Sequence, residues 1–143
     1  MIYCIEKIEN AFLEYFEKNV LDLLDRKIKL IDIGIFPWHS RVEISFYLSD
    51  EKSAIDDVAA WKLYDHGSMY EGGWDSGLAI AKDLEAEWKK DNDILPFIFD
   101  FSSAITSSKV RGSIKKYNLD EDFSLQILNP DSIDSKNYCE WLP

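Results

Sequence analysis

The spacing of apolar residues changes from a helical period to a strand period early in the chain, and this change restricts the possible folds most strongly. In the first segment, apolar side chains recur at helical spacing at Ile5, Ile8, Phe12, Tyr15, Phe16, Val20, Leu23 and Leu24. From 42 to 48, apolar residues alternate instead with Arg41, Glu43, Ser45 and Tyr47, as in a strand with one buried face. A long amphipathic helix followed by strands predicts an α+β domain in which the helix packs on a sheet.

Strand-type patterns also occur outside this segment. The predicted strands cover 28–36, 42–48, 59–66 and 123–127. Pro37 lies in the short link between the first two, which is compatible with an antiparallel hairpin because proline has no N–H for the ladder. For the third strand the evidence is the alternation of Trp61 and Leu63 with polar neighbours, and a helical turn is the alternative there.

Two further helices are predicted in the second half. Asp75 or Ser76 can cap a helix that ends near Lys90, and Pro96 suits the first turn of the next helix. The latter is predicted to continue to Tyr117, although glycine and serine weaken it. The prediction is therefore a single α+β domain over residues 1–143, with an antiparallel sheet of about four strands packed against about three helices.

Composition restricts the partner and the compartment. The net charge of −11 argues against nucleic-acid binding, because attachment to phosphates needs clustered Lys and Arg, whereas a basic protein partner is complementary. No apolar run is long enough for a secretory or membrane segment, so no membrane partner is expected. We expect a cytoplasmic protein that is a monomer or a weak dimer.

Cysteines and glycines give no support for a metal or a cofactor. Cys4 and Cys139 lie at opposite ends of the chain without CxxC spacing, so no metal site is predicted. A disulfide between them is conceivable, but free thiols are preferred in a reducing cytoplasm. Gly72 and Gly73 are not followed by the GK[ST] of a phosphate loop, so no nucleotide cofactor is expected.

Acidic residues and large aromatic side chains occur together in the middle of the chain. Residues 50–93 contain twelve acids against five bases, whereas 94–117 contain one acid against four bases. Aromatic rings can anchor a protein contact, and carboxylates can pair with Arg or Lys of a partner. Trp61 and Trp74 have an alternative role as core residues. The predicted partner-binding residues are Trp38, Asp56, Asp57, Tyr64, Asp65, Tyr70, Glu71, Trp74 and Asp75.

An enzyme is the main alternative to a binding protein. Asp65 precedes His66, and a carboxylate beside an imidazole can raise its basicity, so these residues or a carboxylate pair suit a small hydrolase or transferase. No nucleophile motif surrounds either histidine, however, and we assign no catalytic residue. A scaffold or adaptor protein is a third possibility.

Several strings in the centre of the chain resemble a known group of proteins. Phe36-Pro37-Trp38-His39 leads into Val42-Glu43-Ile44-Ser45-Phe46, and Asp57-Val58-Ala59-Ala60-Trp61-Lys62-Leu63-Tyr64 follows. A short acidic α+β chain with such a Trp-rich centre resembles the immunity proteins of bacterial polymorphic-toxin and contact-dependent growth inhibition systems. The resemblance implies a cognate protein toxin with a basic surface, often a nuclease, whose active site is covered. An acidic surface would speed that encounter.

Overall fold

The structure, a computed structural model, describes residues 4–68 and 71–141. Within these ranges the helices and strands, in chain order, are α1 (Ile5–Leu23), β1 (Ile28–Phe36), β2 (Arg41–Leu48), α2 (Asp75–Trp88), α3 (Leu95–Ile105), α4 (Ser108–Ile114) and β3 (Leu119–Gln126). Short 3-10 turns lie at Pro37–His39 and Val58–Ala60. The predicted α+β class is confirmed.

Helix α1 forms the centre of the helical layer, as its apolar period predicts. Its buried side chains include Ile8, Phe12, Phe16 and Leu23, which recur every three or four residues along one side of the helix. The helix contacts α2, α3 and α4. Since this stripe is broad, one long helix can pack against both the sheet and the other helices.

The sheet is mixed, with the strand order β2-β1-β3 in the described residues. β1 and β2 form the predicted antiparallel hairpin, in which Ile33 pairs with Ile44. β3 pairs with β1 in parallel, so the prediction of an antiparallel sheet of about four strands was wrong. The chain passes through α2, α3 and α4 between β2 and β3, and such a crossover returns a strand in the parallel direction.

The predicted third strand, 59–66, is not part of the sheet. It begins in a 3-10 turn, and Leu63 forms an isolated bridge to Phe46. Trp61 lies across the sheet and packs with Leu30 and Tyr47. Backbone bonds from the N–H of Phe46 to the carbonyl of Leu63 and from the N–H of His66 to the carbonyl of Ile44 hold the segment at the outer edge of β2, while the Trp61 ring covers the sheet face.

The predicted third helix is divided into α3 and α4, which makes four helices in the described ranges rather than about three. α3 ends at Ile105, and the Ser107 side chain accepts a hydrogen bond from the backbone N–H of Val110 at the start of α4. Serine is a preferred N-cap residue because its oxygen satisfies a free N–H of the first turn. The serine-rich stretch thus begins a new helix.

The sheet has a covered face and a partly open face. Ile31, Ile33 and Ile35 of β1 lie in the main core shared with the helices. On the opposite face, Leu30 packs with Tyr47 and Trp61 in a smaller cluster. Because successive residues of a strand point to opposite faces, the residues between the core isoleucines lie on this partly open face.

Two glycines in helices give opposite predictions for substitution by alanine. A Cβ added at Gly77 would overlap the ring of buried Trp74, whereas one at Gly112 has no atom within 4 Å. We expect Gly77→Ala to lower the free energy of unfolding by about 1–3 kcal/mol through overpacking. Gly112→Ala should raise it by about 0.5–1 kcal/mol through helix propensity. Urea unfolding measures both, and equal effects would contradict the described packing of Trp74.

Candidate partner-binding site

A cleft of about 280 Å³ lies on the partly open face of the sheet. Its floor is formed by Asp32 and Gly34 of β1 and by Glu43 of β2. The walls include Phe36, Val58, Ala59, Tyr64, Leu128 and Pro130. Gly34 pairs with Glu43 in the ladder, and Asp32 pairs with Ser45, so the carboxyl groups of the floor lie on adjacent strands. We call this feature the sheet-face cleft.

Asp32 is almost fully buried at 8% exposure, although it is acidic. The side-chain amide of Gln126 donates to its Oδ1 at 2.8 Å, and no described residue bonds to its other oxygen. Burial raises the pKa of Asp32 to about 6, the Gln126 hydrogen bond opposes this rise, and the nearby charge of Glu43 adds to it. Asp32 is therefore a nearly buried carboxyl group that lines the cleft and accepts one hydrogen bond from the described residues.

Glu43 is held by hydrogen bonds from two side chains. The hydroxyl of Tyr64 donates to Oε1 at 2.9 Å and to Oε2 at 3.0 Å, and Nε of Arg41 donates to Oε2 at 2.5 Å. The same guanidinium donates to Asp65 at 2.6 Å. Burial and the bond to Glu43 raise the pKa of Tyr64 to about 12, so its hydroxyl stays a donor. Glu43 is thus fixed in position while Asp32 keeps free acceptor capacity.

Part of the sequence-predicted set lies at this cleft. Tyr64 lines it, and Asp65 joins it through Arg41. Asp56 and Asp57 are exposed and directly precede the 3-10 turn that forms one wall. We call Asp56 and Asp57 the acidic rim.

The other predicted residues do not line the cleft. Trp74 is buried in the core, where its ring N–H donates to the carbonyl of Ala11 at 2.8 Å, so its prediction as a surface anchor is corrected. Trp38 is half-buried and packs against Trp88 with ring centroids 5.8 Å apart. Glu71 and Asp75 are exposed beside the start of α2. Tyr70 lies outside the described residues.

Asp65 and His66 do not share a hydrogen bond in the described part of the chain, because their side chains have different partners. Asp65 accepts from Arg41, whereas Nδ1 of His66 lies 2.7 Å from the hydroxyl of Tyr15. Burial lowers the pKa of His66. An imidazole that is packed against a buried tyrosine and is separate from the carboxylate does not form the arrangement expected of an Asp–His pair.

Sequence reasoning missed Asp32, Glu43 and Gln126 as site residues. A signal existed at Asp32, which interrupts the apolar run of β1. An acidic residue in a strand that is mostly buried needs a compensating partner or a function. Its location on the partly open face, beside Glu43, required the pairing of β1 with β2.

Comparisons with protein-family models, with curated proteins and with solved structures find no match to this chain. Among residues 4–68 and 71–141, no group of His, Cys, Asp or Glu is suited to hold a metal ion, and no helix is long and apolar enough to cross a membrane. The described cysteines are free thiols, with Cys4 exposed and Cys139 buried, as preferred from the sequence. The sheet-face cleft, with the nearly buried Asp32 in its lining, is the candidate site.

Asp32→Asn tests the burial of the carboxyl group. The folded pKa of about 6 lies above the ordinary value of 3.8 for this carboxyl group, so the contribution of its proton to stability is complete below about pH 4 and is lost as the pH rises through 6. Relative to Asp32→Asn, the wild type should therefore lose on the order of 2–3 kcal/mol of unfolding free energy between pH 4 and 7.

Urea unfolding across this pH range measures the difference, with exposed Asp134→Asn as the matched control. A difference between wild type and Asp32→Asn that does not change with pH would contradict the assignment, since the effect would then come from packing alone.

Proposed function

We propose that this protein is a protein-binding module that engages a basic partner through the sheet-face cleft and its acidic rim. The observation that supports this most directly is Asp32, an acidic side chain that is 8% exposed, lines the cleft and accepts one hydrogen bond, from the neutral amide of Gln126. A buried carboxylate is costly unless a cation or donors satisfy it. A cationic group of a partner would supply that compensation.

The acidic rim gives the site a second role in binding. Asp56 and Asp57 are exposed next to the wall of the cleft, in a chain of net charge −11. Charges at the edge of an interface mainly accelerate association, while groups desolvated at its centre determine how long the complex lasts. The rim would thus attract a basic surface, and the cleft would retain it.

The more specific form of the proposal is an immunity protein. The resemblance in the segments 36–46 and 57–64 supports it, and the second segment contributes Val58, Ala59 and Tyr64 to the cleft. In this form, the protein covers the active site of a cognate toxin domain, most simply a nuclease with a basic cleft, inside the cytoplasm. It has no turnover of its own.

Co-expression with products of the neighbouring genes tests this function. We expect one neighbour to be toxic when expressed alone, to be harmless in the presence of this protein, and to co-purify with it in a stable complex. Growth that is never inhibited by any neighbour, or inhibition that this protein does not relieve, would refute the immunity form of the proposal.

Charge reversal separates the acidic rim from other acidic surfaces. The variant with Asp56→Lys and Asp57→Lys should associate with the partner about tenfold more slowly at low salt, because electrostatic steering is reversed. The effect should shrink as salt screens the charges. Stopped-flow binding at several salt concentrations measures the association rate.

The matched control is Glu121→Lys with Asp122→Lys, which changes the charge equally at exposed positions of β3. Unfolding free energies should stay near the wild-type value in both variants. If the control variant slows association as much as the rim variant does, the contact lies elsewhere on the acidic surface.

A carboxylate-pair hydrolase is the second candidate function. The observation in its favour is that Asp32 and Glu43 differ in environment, with the pKa of Asp32 raised to about 6 and Glu43 held by Tyr64 and Arg41. Such a difference can divide acid and base roles between two carboxyl groups. Chromogenic glycosides, esters and phosphates test it: turnover that is lost in Asp32→Asn would support a hydrolase, and the absence of any turnover would exclude this candidate.

A further inference from the structure

The sheet-face cleft is suited by size to one side chain. Its volume of about 280 Å³ lies just below the range of roughly 300–1,000 Å³ that is usual for small-molecule sites. Val58, Ala59, Leu128 and Pro130 make its walls apolar, whereas polar groups are concentrated at the floor. A side chain with an apolar stem and a polar end matches this distribution.

The charge at the floor selects a cation. Asp32, Glu43 and Asp65 together exceed the positive charge of Arg41, which already bonds to Glu43 and Asp65. The second oxygen of Asp32 receives no hydrogen bond from the described residues. An incoming donor with a positive charge would satisfy that oxygen and would offset the cost of burying the ionised group.

Aromatic rings at the cleft favour a guanidinium over an ammonium group. Phe36 and Tyr64 both line the cleft, and a guanidinium stacks on aromatic faces while its N–H groups bond within its plane. An ammonium group is more strongly hydrated and loses more on entering an apolar cleft. The bonds of Arg41 to Glu43 and Asp65 show a guanidinium already bound to carboxylates at the edge of this site.

We propose that the sheet-face cleft receives an arginine side chain of the partner, with its guanidinium at Asp32 and its methylene stem against Val58 and Leu128. This inference rests on the proposed protein-binding function and specifies the residue that is recognised. The arginine enters the centre of the contact, and the acidic rim surrounds it.

The first test uses a small probe and needs no partner. The full chain, labelled with ¹⁵N, is titrated at neutral pH with Nα-acetyl-arginine amide, and backbone amide shifts are followed by NMR. We expect saturable shifts at Gly34, Glu43 and Ala59, with much weaker effects from Nα-acetyl-citrulline amide, which has no charge. Equal binding of the lysine derivative would overturn the guanidinium assignment, and the absence of saturable shifts at the cleft would overturn the site.

Two variants remove different parts of the site. Asp32→Asn should bind the arginine probe about tenfold more weakly, which is the size of one charge-assisted hydrogen bond. Ala59→Phe fills the cleft from an exposed wall position and leaves the floor charges in place, so it should abolish the shifts. Exposed Ala86→Phe on α2 is the matched control and should bind the probe as the wild type does. Unchanged binding in Ala59→Phe would refute the location.

The kinetics of the partner complex distinguish this inference from the proposed function. If the partner binds through the cleft, Ala59→Phe should raise the dissociation rate at least tenfold, whereas reversal of the acidic rim mainly lowers the association rate. A stable complex that is insensitive to Ala59→Phe would reject the arginine cleft but keep the binding function. A saturable arginine shift without any protein partner would support the cleft and reject the immunity function.

Discussion

The packing of α1 on one face of the sheet is the constraint on which the rest of the structure depends. Phe12, Tyr15 and Phe16 fill the space between the helical layer and the core side of β1 and β2. The described helices leave the opposite face without a comparable layer, and it is covered only in part by the segment around Trp61. Polar residues of the strands are tolerated there, which is how Asp32 and Glu43 come to form a cleft floor.

Burial of Asp32 in the cleft lowers the stability of the folded chain when this carboxyl group is ionised. Glu43 has Tyr64 and Arg41 as bonding partners, but Asp32 has a neutral donor in Gln126 and a like charge nearby. A carboxyl group in this position destabilises the folded chain when it ionises. Perturbed carboxyl groups are concentrated at functional sites, and the cation of the proposed partner would offset the cost at Asp32.

Local patterns predicted the elements whose periodicity can be seen within one segment of the sequence. The apolar period of α1 and the proline-linked hairpin of β1 and β2 were read correctly, because helical and strand periods are visible within one segment. Trp61 and Trp74 show the limit of such reading, since a large ring beside acidic residues fits a surface anchor and a core residue equally well. Trp74 lies in the core because Gly77 leaves room for its ring and Ala11 accepts its N–H.

The sequence by itself determined the α+β class, the first helix, the hairpin and the excess of negative charge, since each depends on composition or on residues close together in the chain. The tertiary structure alone decided the parallel pairing of β3 and the position of Trp61 over the sheet. It also decided the meeting of Asp32 with Gln126, 94 positions apart. These features depend on how the chain crosses between layers, and no local period records contacts between such distant residues.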